Sequence, residues 1–128
     1  MRREVAMRIV LVVVGLFFLA AVIPVYWGIR GADPNTGDTM QMALYATLGV
    51  FLLLAVRNPS AHRSLIGFAA WSSFAHAFTM GSLGLEMPPL RNGFIGASLI
   101  LVVIGTLLLA LLPARPTPPS GEQTNMGR

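Results

Sequence analysis

His76 is the one ionisable side chain set deep inside an apolar stretch of this sequence. Around it stand Trp71, Ser72, Ser73 and Thr79, in a run that is otherwise aliphatic, aromatic or small. An imidazole in lipid-like surroundings faces a helix bundle or a cavity and marks function more often than a surface histidine does. Four chemistries are open to it. A neutral ring can tie helices together through Ser72, Ser73 or another element, worth about 1 kcal/mol. It can donate a hydrogen bond to a quinone or another lipid-like molecule. It can ligate haem or a metal, or it can relay a proton. His62 lies fourteen positions earlier, roughly 20 Å away on one helix at ~1.5 Å per residue. The two histidines therefore cannot share a metal, and one histidine is too few for a bis-His haem within the chain. No catalytic residue and no metal site are assigned.

A second group, Arg57, His62 and Arg63, forms a short cationic rim just before this stretch. Its chemistry is that of lipid headgroup contact, or of docking an anionic lipid or partner.

Helical spacing sorts the residues around His76 onto two faces. Ala69, Ser73, Ala77 and Gly81 recur every four positions, and small residues at that interval let a second helix approach closely. Ser72, His76 and Thr79 make a polar stripe beside them. Both faces are expected against protein. Trp71 is expected to pack in the core or to use its N–H on a polar partner.

The elements that must carry these residues are membrane helices. Hydrophobic residues are 55% of the chain and charged ones 11%, against about 25% charge in soluble domains. Four apolar stretches predict helices over 9–29, 39–56, 64–85 and 93–112, each about the length that crosses a hydrocarbon core ~30 Å thick. Their continuity excludes the alternating pattern of a barrel strand. The first is longer than a signal-peptide core of ~7–15 residues and no small-x-small site follows it, so it reads as a retained helix. Pro24 should kink it or end its regular hydrogen bonding. Between the first two helices, Asp33-Pro34 and Asn35-Thr36-Gly37 are turn chemistry. The same segment resembles a calcium loop only loosely, with Leu44 where a bidentate Glu is needed. Asp38 with Gln41 could cap the second helix, and Ser60 could cap the third. Gly93-x-x-x-Ala97 lightens the fourth. Residues 113–128, rich in Pro and polar side chains, predict a disordered tail.

Charge sets the orientation. All nine basic residues are Arg. With the N-terminus in the cytoplasm, Arg2, Arg3, Arg8, Arg57, Arg63, Arg115 and Arg128 lie inside, and only Arg30 and Arg91 outside. The positive-inside rule thus places both termini in the cytoplasm. Tyr26, Trp27 and Tyr45 fall near the outer interface, where amphipathic rings are favoured. Arginines dispersed at helix ends, rather than gathered in a patch, argue against nucleic acid. Cysteine is absent, which removes disulfide, iron–sulfur and thiol chemistry from the chain. Arg without Lys, with abundant Gly, Ala and Pro, points to a GC-rich bacterial genome.

Tyr45-Ala-Thr-Leu-Gly-Val-Phe-Leu-Leu-Leu-Ala-Val-Arg57-Asn58-Pro59-Ser60-Ala-His62-Arg63-Ser64-Leu-Ile, followed by Ala70-Trp71-Ser72-Ser73-Phe-Ala-His76, resembles a stretch from small uncharacterised bacterial membrane proteins of the DoxX-like kind. The order of features is similar over the whole transmembrane part. Some DoxX-type proteins are linked to membrane oxidoreductase complexes and quinones, so the resemblance implies a quinone or accessory-subunit role and transfers no catalytic residue. Small multidrug transporters, which need an acidic residue embedded in the first helix, and fluoride channels, with their Gly-rich motif, fit badly.

The expectation is therefore an all-α, four-helix transmembrane bundle in a bacterial cytoplasmic membrane. Its leading role is an accessory or structural subunit, not an enzyme, that binds lipids and other membrane subunits or its own copies and requires no cofactor. The alternative is a quinone- or haem-associated redox component centred on His76. A small transporter is the third reading.

Overall fold

The computed structural model describes residues 2–31 and 36–115. The turn expected over residues 33–35 and most of the tail expected over 113–128 lie outside the described residues. Within them the chain is all-helical: α1 Arg2–Leu19, α2 Val22–Arg30, α3 Thr36–Ala55, α4 Arg63–Glu86 and α5 Arg91–Ala110, with a single 3₁₀ turn, Pro88–Leu90, leading into α5. Three runs are long and apolar enough to cross a membrane: Arg2–Arg30, Thr36–Ala55 and Pro88–Ala110. They point to a membrane protein. α4 is longer, at 24 residues, but its serines, Thr79 and His76 keep it out of that set.

Helix boundaries depart from the sequence expectation where local chemistry extends or interrupts a helix. α1 begins at Arg2 rather than at residue 9, because Glu4 and Arg8 form an i,i+4 ion pair at 3.0 Å that suits a helical turn in water. The helix then breaks at Ala20–Ala21. Pro24 has no N–H to give to the Ala20 carbonyl four residues back. That carbonyl instead accepts from Ile23 N at 3.0 Å, and Ala21 N reaches only to Phe18 O, also 3.0 Å. The result is two tight turns where α2 departs. The helix-capping expectations fail for a related reason. α3 already starts at Thr36, so Asp38 and Gln41 lie inside it. At the start of α4 the capping position is His62, without a side-chain cap. Asn58 Oδ1, rather than Ser60, serves the turn by accepting from Ala61 N at 3.3 Å.

The helices pack as two hairpins. α1 lies along α3, with α2 continuing on the same partner, and α4 lies along α5; α3 and α4 touch sparsely. Each hairpin closes over glycine. A Cβ on Gly49 would lie 2.7 Å from Gly15 O and 2.5 Å from Leu19 N, both backbone atoms. A Cβ on Gly105 would lie 3.0 Å from Ala70 O and 2.9 Å from the Phe74 ring. The small face of α4 is used here: Ala69, Ser73 and Ala77 are buried, and Ala77 O accepts from Ser98 Oγ of α5 at 2.7 Å.

The hairpins are joined at one end. The core of Met7, Leu11, Leu52, Ala55, Ile66, Ala69, Ile104 and Leu108 gathers residues from the start of α1, the end of α3, the start of α4 and the end of α5. The Arg3 guanidinium donates to Ala110 O at 3.0 Å and to Leu112 O at 3.3 Å. These are carbonyls at the end of α5, where backbone acceptors lack helical partners and a cation is favoured. The start of α1 and the end of α5 therefore sit at the same end of the molecule.

Candidate functional site

Where α3 and α4 diverge they leave a cleft of about 840 Å³. Such a volume is that of a pocket for a small organic ligand. Its polar pole is formed by Asp38, Gln41 and Tyr45 from α3 and by His76 and Thr79 from α4. Leu48, Phe51, Leu65 and Phe68 line the other part. Gln41 to Phe51 is ten residues of one helix, so the cleft follows α3 for ~15 Å at ~1.5 Å per residue. Leu44, Phe51 and Phe68 line it and are also exposed, so the cleft opens sideways along the apolar flank of the bundle.

The polar pole is organised by one hydrogen bond between the hairpins. Gln41 Nε2 lies 2.9 Å from His76 Nδ1. An amide nitrogen is only a donor, so Nδ1 accepts and the neutral ring carries its proton on Nε2. The Tyr45 ring packs 5.1 Å from the imidazole and, on its other side, edge-on to Phe18 at 4.9 Å. Imidazole tautomer and ring plane are thus held by α3, while His76 itself belongs to α4. The serine and threonine hydroxyl protons at the cleft are already committed: Ser72 Oγ donates to Ala69 O at 3.1 Å, Thr79 Oγ1 to Ala75 O at 3.0 Å and Thr47 Oγ1 to Ala43 O at 2.9 Å. The His76 Nε2–H and the Tyr45 hydroxyl are the donors that suit an incoming carbonyl.

The residues singled out from the sequence divide. Ser72, His76 and Thr79 line the cleft together. Ser73 does not: it is buried and donates back to Ala69 O at 2.7 Å. Trp71 is 66% exposed, against Phe74 alone among aromatic neighbours, and takes no part in the core or the cleft. A residue one position along a helix from Ser72 points ~100° away, and the polar stripe cannot include both. Tyr45, expected near the outer interface, packs against both Phe18 and His76. Arg57, His62 and Arg63 flank the α3–α4 turn at the joined end, far along the helices from the polar pole. The sequence reading passed over Gln41 as a ligand of His76. Its signal was there: Gln41 follows the polar first turn of Thr36, Asp38 and Thr39 at the edge of the apolar run of α3, where an amide entering lipid needs a partner.

A family model matches residues 3–90. The chain belongs to a family of unknown function, DUF6632. The matched region of the family runs from α1 through the turn after α4 and contains both sides of the Gln41–His76 contact. No curated protein and no solved structure matches the chain.

Proposed function

We propose that this family member is a four-span protein of a bacterial cytoplasmic membrane that holds an isoprenoid quinone in the α3–α4 cleft for a partner subunit. Four crossings follow if α4 spans as well. Its polar atoms are turned toward the cleft and α5 or bonded to its own backbone, which is how a span meets the cost of polar groups in lipid. The contacts of Arg3 with Ala110 and Leu112 put the start of α1 and the end of α5 at one end of the described residues, and the arginine excess expected on that side supports reading it as the cytoplasmic face.

The observation that carries the quinone reading is the Gln41–His76 contact in the wall of a laterally open apolar cleft. A quinone head offers carbonyl acceptors to the Nε2–H of His76 and the Tyr45 hydroxyl. Its isoprenoid chain suits the wall of Leu48, Phe51, Leu65 and Phe68, and a side opening lets it enter from the bilayer without crossing water. The resemblance to DoxX-like proteins points the same way. In this reading the cleft holds the molecule while a partner supplies electron transfer.

The test is extraction and mass analysis of lipids bound to protein purified in mild detergent, with titration of a benzoquinone bearing a decyl chain. Quinone should co-purify, and His76→Ala should weaken titrated binding about tenfold, the loss of a hydrogen bond worth ~1–2 kcal/mol. Equal binding by wild type and His76→Ala would remove the site from His76. Co-purified protein subunits without quinone would leave a purely structural accessory role.

A further inference from the structure

We infer that the polar pole of the cleft opens to water on the side of the membrane away from the start of α1 and the end of α5, so that a bound quinone keeps its head in the leaflet of that side. The inference rests on the four-span, quinone-holding reading and adds a direction to it. A side opening alone lets an amphiphile enter either way up. The order of polar and apolar residues along α3 and α4 fixes one way, because a head group's hydrogen-bonding atoms are strongly disfavoured in hydrocarbon.

The end of α3 and the start of α4 belong to the joined end, where Leu52, Ala55, Ile66 and Ala69 are buried in the core. Leu48, Phe51, Leu65 and Phe68 line the cleft on that side, and their side chains carry no polar atom. Arg57 and Arg63 flank the α3–α4 turn but do not line the cleft, so no polar route leads into it from there. The polar pole lies further along both helices. Gln41 is fourteen positions from Ala55 on α3 and His76 thirteen from Arg63 on α4, so each stands ~20 Å from the joined end at ~1.5 Å per residue. Past their contact the cleft continues to Leu83, in the last turn of α4, and to Phe94, near the start of α5. Those elements meet at the end of the bundle opposite Arg3. Thr79 lies seven positions before Glu86, and Leu48 seven before Ala55. At equal depth from the two ends, the cleft therefore presents a hydroxyl residue on one side and an aliphatic one on the other. With the start of α1 and the end of α5 cytoplasmic, as proposed, the head lies in the outer leaflet, and a partner acting on it meets it there.

The chain has no cysteine, so single introduced thiols report position without background. Thr79→Cys, Leu83→Cys, Leu48→Cys and, in the exposed α3–α4 turn, Ser60→Cys are each made in the full chain. A membrane-impermeant maleimide is then applied to spheroplasts and to inverted vesicles. Ser60→Cys should label from one side, Thr79→Cys and Leu83→Cys from the other, and Leu48→Cys from neither. A decyl benzoquinone with every ring position substituted, which cannot add to the thiol, should at saturation slow labelling of Thr79→Cys about tenfold, as mass action on the free site requires, and leave Ser60→Cys unchanged. Labelling of Thr79→Cys and Leu83→Cys from the same side as Ser60→Cys, or from neither side, overturns the inference, and so does labelling of Leu48→Cys as fast as Thr79→Cys. Side-specific labelling of Thr79→Cys without protection by the quinone would support the opening and overturn the quinone reading.

Discussion

The seams inside the hairpins and the space between them are built from the same kind of helix but solve opposite problems. Along α1–α3 and α4–α5, glycine removes side chains so that backbones meet: Gly49 against Gly15 and Leu19, Gly105 against Ala70. Between α3 and α4 the side chains are large, Met42, Leu48, Phe68 and Met80 among them, and they line a hollow instead of closing it. In lipid there is no hydrophobic drive to bring helices together, so close packing must come from shape. Where shape is withheld, a cleft remains, and one hydrogen bond spans it. The lesson is that two rigid halves joined at one end can carry an open site without loss of the whole.

The contrast can be broken most forcefully at Gly49. Gly49→Val places carbon against two backbone atoms that have no rotamer to escape into, and overpacking of this kind costs ~1–3 kcal/mol or more. Monodisperse protein on size exclusion should fall sharply, and the unfolding midpoint with it; wild-type behaviour would mean that α1 and α3 are not in direct backbone contact. A smaller effect belongs to the cleft. Gln41→Leu removes the bond across the gap while the hairpins persist, so stability should drop by about 1 kcal/mol or less. The His76 ring should at the same time lose its fixed tautomer, visible as a change in its imidazole nitrogen resonances. Unchanged resonances would show that Gln41 does not hold His76. The smallest effect is expected at Gly67, where an added Cβ meets nothing within 4 Å. Gly67→Ala should be neutral or mildly stabilising, by up to ~1 kcal/mol through backbone entropy, as thermal unfolding would reveal. A large loss there would mean that a glycine needs no close neighbour to matter, and the comparison would dissolve.

Much of the helical plan was legible along the chain because it depends on local facts. Continuous apolar runs, Asn58-Pro59 between two helices and Pro24 near the end of the first mark segments whatever they pack against. The capping residues were less legible, since Asp38, Gln41 and Ser60 each have a local option that a competing arrangement displaced. At the site, His76 stood out by its type, and Ser72 and Thr79 by their spacing. Trp71 was misplaced because helical periodicity orders residues around an axis without saying which side meets a neighbour.

Composition and sequence order alone determined that the chain is helical, strongly apolar and asymmetric in its arginines, because backbone hydrogen bonding in lipid leaves a single-chain apolar segment little choice but the helix. Tertiary structure decided which faces meet. It brought Gln41 and Tyr45 to His76 across 35 and 31 positions of sequence, turned Trp71 outward, and set Arg3 on the end of α5. Those choices come from the depth to which glycine lets one backbone approach another, and the spacing of residues along a single helix does not contain that distance.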